Sequence, residues 1–201
     1  MFYVFEGIDG SGKSTQARIL EEHFRREKRR VLCVREPGGT PLGETLRRLI
    51  LEPGDEEFAP QTELFLFMAA RAHLVDQRIE PALREGKIVI SDRFLWSSAA
   101  YQSMPGGLTP EAILRVGELA VGTLNVTQTF FVDLDPQTAL ARTSSGDRME
   151  SRGVEFQAQV RENFLAIVEA HRDCATVIDG RGSPEEVHTR VLSHLHQPDQ
   201  P

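Results

Sequence analysis

Lys13 and Ser14 close the run Gly7-Ile8-Asp9-Gly10-Ser11-Gly12-Lys13-Ser14, which fits the spacing G-x-x-x-x-G-K-[ST]. Glycines at this spacing let successive backbone N–H groups turn inward around an anion without Cβ clashes. A helix beginning near Lys13 adds the positive end of its dipole. Lys13 brings a mobile cation for the outer phosphates, and Ser14 brings a hydroxyl ligand for Mg²⁺. An apolar run, Met1-Phe2-Tyr3-Val4-Phe5, precedes the loop, and Thr15-Gln16-Ala17-Arg18-Ile19-Leu20 follows it. Strand, glycine loop and helix predict that residues 7–15 hold a nucleoside triphosphate. A bare turn between strand and helix has no use for Lys-Ser at the helix start. The pattern leaves open what the triphosphate is used for.

Four further groups could do chemistry beside that loop. The run Lys87-Ile88-Val89-Ile90-Ser91 ends in Asp92 and Arg93. An apolar strand ending in Asp is where such proteins place their second Mg²⁺ group, so Asp92 joins Ser14 as a candidate metal ligand. Arg93 would enter the site from the same strand end. The segment 142–153 carries Arg142, Arg148 and Arg152 among serines and glycines. Alone it would be a solvated loop. Beside a phosphate cradle it predicts a mobile lid, whose arginines meet the charge spread over a migrating phosphoryl group and exclude water. Phe67 and Arg71 are four apart on a helical stretch and share a face. The ring could stack a base or simply pack, while a partly buried arginine needs an anion. Asp9 is the oddity, because a carboxylate in a phosphate loop repels the ligand. It is tolerable if it faces a cation or a hydroxyl donor, such as Arg93 or a sugar.

The elements that must position these groups read as alternating strands and helices. Strands are predicted at 2–8, 31–34, 88–91, 129–134 and 176–178, nearly continuously apolar as in a sheet covered on both faces. Helical patterns lie at 13–27, 41–51, 60–85, 95–103, 110–121, 136–142, 154–172 and 184–195. Pro41, Pro60, Pro110, Pro136 and Pro184 stand near helix starts, where a missing N–H costs little. The alternation predicts a three-layer α/β fold, a five-stranded parallel sheet flanked by helices, with ligands at the strands' carboxyl ends. The 201 residues suit one domain, with a frayed tail at 197–201. The net charge of −7 argues against a surface that wraps nucleic acid. No apolar run is long enough to span a membrane. Met1 opens directly into a strand, which leaves no room for a signal peptide and points to the cytoplasm. The two cysteines, Cys33 and Cys174, form no zinc pattern or disulfide framework, and Cys33 reads as a buried thiol.

Together these residues resemble the thymidylate kinase family, which phosphorylates dTMP to dTDP with ATP. The likeness covers nearly the whole chain. It rests on the run from Phe5 to Thr15, on Arg35-Glu36-Pro37-Gly38-Gly39-Thr40, and on Phe67 with Arg71. It continues through Asp92-Arg93-Phe94, Ser97-Ser98-Ala99-Ala100-Tyr101-Gln102 and Asp147-Arg148-Met149-Glu150. The resemblance implies that Asp9 holds the sugar 3′-hydroxyl and Arg93. It implies that Phe67 stacks on thymine, that Arg71 bonds the base, and that Ser98 and Gln102 lie around base and sugar. Tyr101 would crowd the ribose 2′ position, Arg47 and Arg93 would hold the acceptor phosphate, and Pro37 would line the acceptor site. Gly10 stands where some members carry an arginine. With the arginines of 142–153, that resembles the bacterial type, in which the lid supplies the catalytic arginine. The implied catalytic set is Lys13, Asp92, Arg93, Arg148 and Arg152, working with Mg²⁺, in a homodimer. A kinase for another nucleoside monophosphate or small acceptor is one rival. An NTP-driven switch is another, but no residue placed to position water stands out.

Overall fold

A computed structural model describes residues 1–52, 58–103, 107–143 and 152–195. Five strands form one parallel sheet: β1 (Phe2–Glu6), β2 (Val31–Arg35), β3 (Ile88–Asp92), β4 (Gln128–Asp133) and β5 (Ala175–Asp179). Their order is β2-β3-β1-β4-β5. β1 is central and wholly buried, with Phe5 in register with Asp92 on one side and Phe130 on the other. Strand ends that carry chemistry are thereby brought side by side. The central strands are apolar along most of their length, with polar residues toward their ends, because helices cover both faces. The edge strands β2 and β5 are only partly covered. Cys33 on β2 is accordingly half-buried rather than enclosed, and both cysteines are free thiols.

The helices are α1 (Lys13–Arg26), α2 (Pro41–Leu51), α3 (Pro60–Leu74), α4 (Glu80–Arg84), α5 (Leu95–Gln102), α6 (Pro110–Val121), α7 (Pro136–Leu140), α8 (Gly153–Ala170) and α9 (Pro184–Ser193). All five expected prolines occupy the first turn of their helices. Caps fix four of these starts, from Thr40, Thr109, Asp135 and Ser183, the last with Glu186 in a capping box. The helix predicted across 60–85 is interrupted. It widens into a π-helical turn, Val75–Ile79, before α4. Pro81 cannot donate a backbone hydrogen bond to the residue four before it, so the regular ladder cannot run through this point.

Two apolar layers clamp the sheet. Tyr3, Phe5, Ala17, Leu20, Phe24, Ile90 and Phe130 pack α1 and α9 on one face. Phe131, Phe164, Val160, Tyr101 and Leu64 join α3, α5 and α8 on the other. Aromatic pairs stiffen both, Phe5–Phe130 and Phe131–Phe164, each with ring centroids 5.2 Å apart. Among the described residues no helix is long and apolar enough to cross a membrane.

Candidate active site

The loop after β1 wraps the start of α1, as its glycines require. Gly10 has φ +76°, and a Cβ there would lie 2.0 Å from the backbone oxygen of Ala139. No side chain fits unless α7 moves, so an arginine is sterically barred from this place as well as absent. The Lys13 ammonium folds back and donates to the Ile8 carbonyl at 2.6 Å. Burial, with the nearby Arg93 charge, lowers its pKa to about 8 against the pull of Asp9, Asp92 and Glu6. The Ser14 hydroxyl donates to Oδ2 of Asp92. Oδ1 of Asp92 is buried with no partner among the described residues. Ser14 and Asp92 thus present two hard oxygen donors at the junction of β1 and β3.

On the other side of the loop Arg93 is held from every direction. Its φ is +70°, the left-handed region that a non-glycine residue seldom adopts. Nη1 donates to the Gly7 carbonyl at 3.1 Å and to the Ser97 hydroxyl at 3.0 Å. Nη2 pairs with Asp9 and lies 3.3 Å from the Tyr101 hydroxyl, and the guanidinium stacks 5.0 Å from the Tyr101 ring centre. Burial opposes its charge, but Tyr101, Asp9, Asp92 and Glu6 outweigh it and keep Arg93 protonated. Asp9 also accepts from Tyr101 at 2.9 Å and Gln157 at 3.2 Å. Burial would raise the Asp9 carboxyl, yet Arg93 and Lys13 hold it at about 2. The expected cation for Asp9 is therefore Arg93.

Arg71 is 2% exposed and finds its anion inside the protein. Nε donates to Glu36 at 2.7 Å, and Nη2 donates to the Phe94 carbonyl at 3.0 Å and the Ser98 hydroxyl at 3.1 Å. Burial pushes the Glu36 carboxyl up to about 7 against the attraction of Arg71. Its Oε1 has no partner among the described residues.

These groups line one cavity of about 760 Å³, in the range of small-molecule sites. Asp9, Gly10, Ser11, Gly12, Lys13, Ser14 and Thr15 form its centre. Asp92 stands with them beside Ser14, and Pro37, Arg47, Phe67, Arg71, Arg93, Ser98, Tyr101 and Gln102 form one end. Gly7 and Ile8 stand behind the wall and contribute the carbonyls just described. Arg47 is tied to the same end, donating to the Pro37 carbonyl at 2.9 Å. Arg152 lies elsewhere, 3.4 Å from Glu63 and 4.8 Å over the Phe156 ring. Arg148, most of the lid predicted over 142–153 and the tail at 197–201 fall outside the described residues.

The sequence reading passed over several residues that hold the site. Glu6 is wholly buried and accepts from the backbone N–H groups of Phe94 and Ser97 at 2.9 and 3.0 Å and from the Ser97 hydroxyl at 2.5 Å. It caps α5 and steadies the strained turn at Arg93. A charge at the end of an apolar strand was the available signal. Gly180, Gly182, Pro184 and Val187 line the other end of the cavity, beyond β5. Their signal was the strand-end position itself.

Fold and site define a P-loop protein of the α/β nucleotide-kinase class. The family model for thymidylate kinase matches residues 5–191, and the chain belongs to that family. It is 43% identical over 189 residues to a thymidylate kinase of Symbiobacterium thermophilum, covering 93% of this chain and 88% of that one. It is 44% identical over 195 residues to one of Dinoroseobacter shibae, covering 95% and 94%. The crystal structure of thymidylate kinase from Ehrlichia chaffeensis superposes with a TM-score of 0.78 at 33% identity, covering 96% of this chain and 97% of that one.

Proposed function

We propose that this enzyme transfers the γ-phosphoryl group of ATP to dTMP, giving dTDP and ADP, in the cavity between α3, α5 and the phosphate loop. The observation that carries it is that one cavity joins a phosphate loop to a pre-wired acceptor wall. A water-activating switch has no need of such an acceptor wall. The triphosphate lies along residues 7–15, with its base toward Gly180–Val187. The acceptor phosphate meets Arg93 and Arg47, and Phe67 stacks on the base beside Arg71 and Ser98. Gln102 lies along the base and sugar, with Pro37 beside them. Asp9 accepts from the sugar 3′-hydroxyl, while Tyr101 fills the space a 2′-hydroxyl would need.

The reaction spreads charge over the migrating phosphoryl group, so positioning and charge stabilisation do most of the work. Lys13 exchanges its bond to Ile8 for the outer phosphates. Arg93, fixed by Asp9, Ser97 and Gly7, aligns the acceptor oxygen with no reorganisation at the moment of transfer. Ser14 and Oδ1 of Asp92, which has no partner among the described residues, suit Mg²⁺, which takes oxygen ligands and, when bound, neutralises charge on the phosphates. With Gly10 closed to any side chain, the remaining charge falls to Arg148 and Arg152 of the 142–153 segment, Arg152 having first to leave Glu63 and Phe156. Exposed Leu42, Leu49, Phe65 and Leu119 stand on α2, α3 and α6, with α3 packed on both of the others, and a second copy of the chain would cover them as a homodimer. Localisation in the cytoplasm belongs to the same reading.

ADP release measured with ATP and Mg²⁺ against a panel of nucleoside monophosphates tests the reading. dTMP should stimulate it most. Equal release with no acceptor would mark a switch, and preference for a ribonucleotide would mark a different kinase.

A further inference from the structure

Glu63 sits in the first turn of α3, 5% exposed, behind the residues that line the cavity and outside every role given above. A buried carboxylate must be partnered, and Glu63 is met on both oxygens. Oε1 accepts from Nε2 of Gln102 at 3.1 Å, and Oε2 faces the Arg152 guanidinium at 3.4 Å. The first of these contacts has a directional consequence. A carboxylate can only accept, so it fixes which way the Gln102 amide points. The nitrogen must face Glu63 and the oxygen must face away. Gln102 lines the acceptor end of the cavity, and its Oε1 is buried with no partner among the described residues. Leaving such an acceptor unmet is costly, and a ring N–H of a bound base would meet it.

We propose that Glu63 is a positioning residue for base choice. By locking the Gln102 amide, it makes the cavity present an acceptor, and so selects a pyrimidine whose N3 carries hydrogen over cytosine, whose N3 is itself an acceptor. This rests on the acceptor-site reading above. Arg152 occupies the other carboxylate oxygen and leaves Oε1 to Gln102, so the base-reading amide is tied to the start of α8, at the end of 142–153.

The test compares kcat/KM for dTMP and dCMP. In Glu63→Gln the new amide can donate or accept, so Gln102 is free to turn over and donate to cytosine. The dTMP-to-dCMP ratio should fall about tenfold or more, chiefly through KM, with kcat at saturating dTMP little changed. The exchanged pair Glu63→Gln with Gln102→Glu restores an acceptor facing the cavity and should recover most of the ratio. A single variant that melts like the parent and keeps its ratio would overturn the proposal. So would an exchanged pair that folds but recovers nothing, and so would failure of both variants to fold, which would make Glu63 purely structural. If the parent enzyme does not use dTMP at all, the acceptor-site reading fails instead, so the two failures are distinguishable.

Discussion

The two ends of the cavity are built by different means. At the phosphate loop the backbone does the work, through glycines at positive φ, a helix start, and side chains with spare capacity: Lys13 on a carbonyl, Asp92 and Ser11 with buried oxygens that have no partner among the described residues. At the acceptor end side chains do the work, and Arg93, Arg71, Asp9 and Tyr101 are each held by two or more protein partners. The first end is poised to take charge from any triphosphate. The second is pre-organised to a shape, which is the property that discriminates between acceptors. Lesions at the loop should therefore cost turnover with every acceptor, and lesions at the acceptor end should also move selectivity.

Lys13→Ala should be the severest lesion, lowering kcat on the order of 10³-fold or more for every acceptor. It should not cost stability. Folding holds the Lys13 pKa below its ordinary value, so its charged form is disfavoured by burial, and near pH 7 the alanine variant should melt no lower than the parent. A variant with near-normal turnover would remove the loop from the chemistry.

Arg148→Ala should lower kcat by about a hundredfold or more with a smaller change in the KM for dTMP, as expected for a contact made in the transition state. An unchanged kcat here and in Arg152→Ala would leave Lys13, Arg93 and the metal to supply the charge.

Arg93→Lys should fall close behind, about a hundredfold in kcat/KM, because a point charge cannot serve Asp9, Ser97, Gly7 and a phosphate together. It sharpens the comparison, since the loss should vary with the acceptor offered. Parent-like activity of the lysine variant would show that charge alone suffices.

The 2′-hydroxylated counterpart of dTMP should lose about tenfold or more in kcat/KM, and Tyr101→Ala should narrow that gap. Equal use of both nucleotides by the parent would take Tyr101 out of the role.

The smallest effect lies outside both ends. His188 on α9 is buried against α1, with neither ring nitrogen partnered among the described residues. Burial, with His23 and Arg26 nearby, lowers its pKa. Its folded pKa is then below the unfolded value, so the unfolded chain binds more protons. Stability is full above the unfolded pKa of about 6.5 and is lost as pH falls through that value toward the folded one. Thermal melting between pH 7 and 5 should show a decline that His188→Leu reduces. Parallel curves for the two proteins would contradict this.

The same contrast explains what was legible in the sequence. The loop, the strand end at Asp92 and the proline-marked helix starts are local patterns, so they could be read residue by residue. The five-strand parallel sheet follows from alternation alone. Apart from the family resemblance and the ring of Phe67, the acceptor wall was legible where a charge looked out of place. Asp9 demanded a cation and Arg71 an anion, but nothing local pointed to Glu36 as that anion. Gln157 reaches Asp9 across 148 residues of sequence, and Gln102 reaches Glu63 across 39, so no spacing rule could reveal them. The edge strand β2 misled in a related way, since apolar composition alone cannot tell a covered strand from a half-covered one.

The most direct test of the whole account is product analysis of the parent enzyme given ATP, Mg²⁺ and dTMP. The account predicts dTDP and ADP in equal amounts, and almost no ADP when dTMP is omitted. ADP formed without dTDP, or no reaction at all, would contradict it.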